Sequence, residues 1–169
     1  MTFWSIFFSV LAGILAGVGI NIGIDMVRAC INRKRTVKNL KFEIIYNLGK
    51  LNLFLEELDK FHKKVTENAI LEYYGYFPLS RIIQTTIVQM FLDRSIYKIL
   101  EDEQIGKLQD FYTSFNVNTE KVINDQIIWA KEHIADTDIK QRSYKTINFW
   151  KYTFETRKKD LESVKESLK

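Results

Sequence analysis

The chain has 169 residues, 46% of them hydrophobic and 27% charged, with a net charge of +4. Once its apolar start is set aside, about 140 residues remain, enough for one domain of ordinary size and too few for two. One cysteine excludes an internal disulfide, and one proline with seven glycines, five of them before residue 50, gives the composition of a helical protein with short connections.

Phe3 to Ile24, FWSIFFSVLAGILAGVGINIGI, carries no formal charge over 22 residues. As a helix rising about 1.5 Å per residue it reaches about 33 Å, enough for a hydrocarbon core of about 30 Å. The sequence therefore predicts a transmembrane helix over residues 1–27. Arg28, Arg33, Lys34, Arg35, Lys38 and Lys41 follow it, and only the amino terminus is charged before it. By the positive-inside rule the N-terminus lies outside and residues 28–169 form a cytoplasmic domain at the inner (cytoplasmic) membrane. A nucleic-acid patch would show the same basic cluster, but beside a span lipid headgroups are the expected partner and direct DNA binding is not. A signal peptide would begin with Lys or Arg, have a shorter apolar core and lack the basic cluster, so no cleavage is expected. Cys30, at the boundary, is read as a small buried apolar residue, with acylation as the alternative.

Within the stretch Ser5, Ser9, Ala12, Ala16, Gly19 and Gly23 recur at spacings of 4 and 3, with Gly13 and Gly17 beside them. Such a face lets helix backbones approach closely and predicts a homo-oligomer. Trp4, Phe8, Leu11, Leu15, Val18 and Ile22 form the lipid-facing side. Asn21 is read as interface glue, and Asp25 as a partner for Arg28 one turn on.

The same 3 and 4 spacing continues through Met26, Cys30, Arg33, Val37, Leu40, Ile44, Asn47, Leu51, Phe54, Leu58, Phe61 and Val65. One stalk helix to about residue 70 follows, coiled-coil-like, with Asn47 in the oligomerisation seam as a polar residue that fixes register. Phe42, Ile45, Leu48, Leu53 and Leu55 lie off the seam, so other helices must cover them. Tyr73, Tyr74, Tyr76 and Phe77 surround Gly75 and Pro78 in a turn that packs on the core, and Ser80 is placed to cap the next helix. Helices are predicted over about 80–100, 103–116, 119–135 (capped by Asn118 or Thr119) and 139–168.

The sequence lacks a phosphate-cradling glycine loop, a GxSxG elbow and paired cysteines. His62 is read as solvated. His133 beside Glu132 and Asp136, and the pair Asp136 and Asp138, are surface and capping patterns, so no metal and no cofactor is expected. No catalytic constellation emerges, and an enzyme is not expected. A possible anion or ligand site is formed by Arg81, Arg94, Arg142 and Arg157 if subunits bring them together, against the reading of scattered solubilising charges.

Glu43, Ile44, Asn47, Leu48 and Leu51, directly after a single span and basic flank, resemble the E-I-x-x-N-L-x-x-L start of the cytoplasmic bundle in small bacterial membrane proteins. These include transmembrane effectors of phage-defence, CRISPR-associated systems. The resemblance covers about a third of the chain and implies an all-α fold with a span continuing into a stalk helix. It also implies a non-enzymatic antiviral defence effector that senses a small nucleotide signal or a cytoplasmic protein and opens or perturbs the membrane. A passive anchor or scaffold that recruits a cytoplasmic partner is the alternative.

Overall fold

The computed structural model describes the backbone of residues 3–168 and the side chains of residues 20–168. The chain is all-α, and no strand occurs among the described residues. It forms two compact units, Met1–Lys38 and Asn39–Lys169.

Helix α1 spans Phe3–Thr66. No proline interrupts it. It ends where Asn68 takes the left-handed conformation, φ 58°, which asparagine tolerates better than most residues. Ala69 N–H then reaches the Lys64 carbonyl at 2.8 Å and Asn68 N–H the Val65 carbonyl at 3.3 Å, the paired bonds of a Schellman stop. Lys63 and Lys64 in the last turn oppose the negative end of the helix dipole.

In the first unit Ile20, Ile22, Ile24, Met26, Val27 and Ile31 are exposed, and Asp25 pairs with Arg28 at 3.8 Å in the open. Cys30 is exposed, not buried as its residue type suggested. Among the described residues no helix is long and apolar enough to cross a membrane. The apolar stretch Phe3–Ile24 falls largely outside that set, as do the seam residues Ser9, Ala12, Gly13, Ala16, Gly17 and Gly19. Gly23 is exposed, with nothing within 4 Å of a Cβ placed on it.

The second unit is a helical bundle. Leu40, Ile44, Leu51, Phe54, Leu58, Phe61 and Val65 of α1 are all buried. The stripe expected to face other subunits is thus consumed here by the chain's own core. Helices α2 (Thr85–Leu92), α3 (Ile96–Ile99), α4 (Asp102–Ser114), α5 (Val117–Glu132) and α6 (Ile139–Ser167) follow, with α4 lying closely along α6. The centre is aromatic. Phe154 of α6, fully buried, meets Phe54 of α1, Phe115 after α4, Phe77 of the connecting segment and Trp150, with ring centroids 5.7 to 6.3 Å apart. Aromatic pairs at these separations add to what area burial alone contributes.

The single helix expected over 80–100 is divided. Residues 67–84 cross the bundle with only two 3₁₀ turns, Ile70–Glu72 and Leu79–Arg81, and α2 and α3 are separated by Arg94 at φ 60°. The break has a local cause: Asp93 Oδ1 accepts the Ser95 N–H at 2.8 Å, offering the backbone a turn in place of the helical bond. Ser80 lies inside the second 3₁₀ turn and does not cap α2. The α5 cap is Asn116, two residues before Asn118 and three before Thr119, the two expected caps; its side chain accepts the Thr119 N–H at 3.0 Å. Glu101 and Gln104 close a reciprocal capping box on α4.

Candidate functional site

The described residues include four buried polar side chains: Glu43, Asn47, Asn124 and Ser143. A buried polar group without a partner carries a desolvation cost, so where each finds its hydrogen bonds is informative.

Asn47 lies on the inward face of α1. Its Nδ2 donates to the Ile83 carbonyl at 2.6 Å and its Oδ1 accepts the Ile83 N–H at 2.9 Å. The side chain thus replaces a strand partner for one residue of the connecting segment. Asn47 therefore does not serve as a polar register residue between subunits; its amide is spent on its own chain. Asn124 of α5 does the same for Phe77, accepting its N–H at 3.0 Å and donating to its carbonyl at 3.1 Å. Glu43, one turn before Asn47, accepts the Thr86 and Ile87 N–H groups at 2.7 and 3.2 Å and so caps α2 from another helix. Burial pushes its carboxyl above the usual range, and the bonds from Thr86 and Ile87 offset this only in part.

Glu120 completes the attachment. One oxygen takes the Tyr76 hydroxyl and the other the Ser80 N–H, each at 2.6 Å. Burial pushes Glu120 up, but these hydrogen bonds and nearby Arg81 outweigh it and hold it below the usual range. Of the aromatic corner, Tyr73 and Phe77 are buried while Tyr74 and Tyr76 are exposed. Gly75 leaves room for the Tyr73 ring and hydroxyl, which a Cβ there would strike.

Ser143 is the exception. It is 3% exposed, and its Oγ has no hydrogen-bond partner. It lines a groove of about 530 Å³ between α5 and α6, floored also by buried Phe61 and Ala130. Half-buried Gln126, Trp129 and Thr146 form the sides, and exposed Asp125, Glu132 and Arg142 stand at the edge. Gln126 Oε1 is fixed by the Trp150 indole N–H at 2.8 Å. The Trp129 ring stacks on His133 with centroids 4.5 Å apart, and the Arg142 guanidinium lies 5.4 Å from its centroid.

The four arginines considered for an anion site are not gathered within the chain. Arg81 ends a 3₁₀ turn, and Arg94 sits exposed at the α2–α3 break. Arg142 and Arg157 are fifteen residues apart on α6, about 22 Å along its axis. Asp138 engages Arg142 at 2.6 Å, and Asp110 and Asp160 engage Arg157 at 3.2 and 2.7 Å. These ion pairs neutralise the charge that an anion would need. His62 lies against the Tyr144 ring, and no group of three metal-ligating side chains clusters among the described residues.

Asn124 and Ser143 escaped the sequence reading. The signal for Asn124 was an asparagine on the apolar face of α5 between Ile123 and Ile127; for Ser143, its place one turn before Ile147 on the buried stripe of α6. Compared with known proteins, the chain matches no family model, no curated protein and no solved structure.

Proposed function

We propose that the chain is a non-enzymatic, single-pass membrane protein with its N-terminus outside. Its helical bundle receives a signal, and its spans, associated through the small-residue seam, respond by perturbing the bilayer, as a defence effector would. The observation that supports this reading most is the groove between α5 and α6, edged by Asp125, Glu132 and Arg142 and carrying no catalytic constellation, on a bundle whose buried Glu43, Asn47 and Asn124 spend their polar groups internally. It has the makings of a receiving site and lacks those of a reacting one. The uncharged stretch at the head of α1 supports the membrane part. A signal acts only through unequal affinity for two packings, and a near-complete switch needs about a 10⁴-fold difference. Cells overproducing the chain are expected to lose membrane potential, read with a potential-sensitive dye, and the double replacement Gly13→Leu, Gly17→Leu should abolish the loss. An unchanged potential in cells containing the parent chain would sink the effector reading.

A second reading, an anchor that holds a cytoplasmic partner, draws on one observation. Phe42, Ile45 and Leu53 of α1 are 67%, 54% and 50% exposed, on the side away from the core, with Gly49 among them and nothing within 4 Å of a Cβ placed there. An apolar stripe of this kind suits a docking helix. Exchange of the span for a monomeric poly-Leu helix separates the two readings, because a scaffold keeps working and an effector does not.

A further inference from the structure

The charge of the chain is not shared between its two units. Residues 1–38 hold five of the 25 cationic side chains and one of the 21 carboxylates, so the first unit carries the whole net charge of +4 and the second balances twenty of each. The five cations, Arg28, Arg33, Lys34, Arg35 and Lys38, fall within eleven residues, and the one carboxylate, Asp25, already faces Arg28. Arg33, Lys34, Arg35 and Lys38 are exposed and enter no ion pair among the described residues.

How these cations are set round α1 separates two ways of meeting a membrane. Side chains three, four or seven residues apart share a side of a helix. Val27, Ile31, Arg35 and Lys38 therefore form one line, and Ile22, Met26 and Arg33 another, about 150° further round the axis at about 100° per residue. Along both lines exposed apolar residues come first and exposed cations follow. The change from apolar to cationic thus runs along the helix axis, as it does where a helix meets a membrane end-on. A helix lying in the membrane surface divides the two characters around its circumference instead. Arg33 to Lys38 rise about 7.5 Å, comparable with the headgroup layer of one leaflet, about 5–8 Å.

We propose that this cationic collar binds the phosphodiester groups of anionic phospholipids, so that the first unit selects an acidic leaflet. The planar guanidinium groups of Arg33 and Arg35 suit paired phosphate oxygens, while Lys34 and Lys38 add charge without a fixed geometry. A zwitterionic headgroup offers the same phosphate with its charge cancelled, so the lipid with net negative charge is preferred. A nucleic-acid duplex presents phosphates too, but it has nothing to cover the apolar residues that precede the cations on both lines. The assignment rests on the membrane reading above and adds the class of lipid to it.

Cys30, exposed and the only cysteine, lies among these residues and serves as the reporter. The full chain, carrying a fluorophore on Cys30, is reconstituted in phosphatidylcholine vesicles containing nitroxide-labelled phosphatidylglycerol or nitroxide-labelled phosphatidylcholine. Quenching then measures which lipid gathers at the collar. At low salt the phosphatidylglycerol is expected to reach half-maximal quenching at an about three- to tenfold lower fraction. At about 1 M salt, where the screening length is about 3 Å, the two lipids should coincide. The exposed side chains tolerate neutral replacement, so Arg33→Gln, Lys34→Gln, Arg35→Gln, Lys38→Gln together should erase the low-salt preference. Removing equal charge from the second unit, Lys98→Gln, Lys121→Gln, Lys145→Gln, Lys159→Gln, all exposed and likewise outside ion pairs, should leave it intact. Equal quenching by both lipids at low salt overturns the proposal and leaves the span standing. No quenching by either lipid overturns both. A preference that the second-unit replacements erase equally well overturns the collar as its source. A short DNA duplex that binds the chain in phosphatidylcholine vesicles, is lost with the first set of replacements and is not displaced by phosphatidylglycerol overturns it in favour of a nucleic-acid surface.

Discussion

Asn47→Ala is expected to destabilise the bundle by about 2–4 kcal/mol, because it removes two hydrogen bonds and leaves both backbone groups of Ile83 without partners. The asymmetry of hydrogen-bond energetics sets this size: forming such a bond gains about 1 kcal/mol net, whereas stranding a buried donor or acceptor costs about 1–3 kcal/mol each. In thermal unfolding of the purified chain followed by circular dichroism, the midpoint should fall by on the order of 10 °C. Phe42→Ala, on the exposed stripe of the same helix, should change stability by less than about 1 kcal/mol and serves as the comparison. A midpoint for Asn47→Ala as close to the parent as that of Phe42→Ala would show that the clamp contributes nothing.

Glu43→Ala is the second large effect. The Thr86 and Ile87 N–H groups at the start of α2 lose their common acceptor, again at about 2–4 kcal/mol. Glu43 adds a pH signature of defined sign. Its folded carboxyl titrates above the ordinary value of 4.5 because burial disfavours the ion, so between 4.5 and the raised folded value the native state binds more protons than the unfolded one. The stability this group contributes is fully present below 4.5 and is lost as pH rises through the folded value. The parent should therefore gain on Glu43→Gln as pH is lowered from 7 towards 4.5, in paired denaturant titrations. A difference that moves the other way would mean that the hydrogen bonds from α2, and not burial, dominate this carboxyl.

The apolar periodicity of α1 was legible because the helix has one deeply buried face: each apolar residue from Leu40 to Val65 in the 3 and 4 series is in the core. The identity of the covering surface was not. Periodicity reports that a face is buried and is silent on whether the same chain or another copy buries it, and here the chain itself does. The same ambiguity explains Asn47. A lone polar residue in an apolar seam reads as a register device, and only the position of Ile83, thirty-six residues away, shows that its partner is internal. Glu43 and Asn47, two of the residues on which the resemblance rests, hold residues 83–87, while Ile44 and Leu51 fill the core. In this chain the pattern is thus accounted for by folding.

The division of the 80–100 region went unread because its Ile and Thr content and the short-range pull of Asp93 are weak local signals beside a strong helical spacing. For the candidate site, the arginines stood out by charge, yet one carboxylate partner of Arg157, Asp110, lies forty-seven residues away. The groove depends on α5 meeting α6, which no local pattern encodes.

The attachment of residues 67–84 has a kinetic consequence. Its side-chain ties join residues 36 to 47 positions apart, Asn47 to Ile83, Glu120 to Ser80 and Asn124 to Phe77, so each closes a long loop whose entropy must be lost before the bond contributes anything. The ties from Asn124 and Glu120 cannot form until α5 has been made and docked against the rest. Fastening of this stretch, which brings Phe77 into the aromatic centre, therefore waits on the docking of α5.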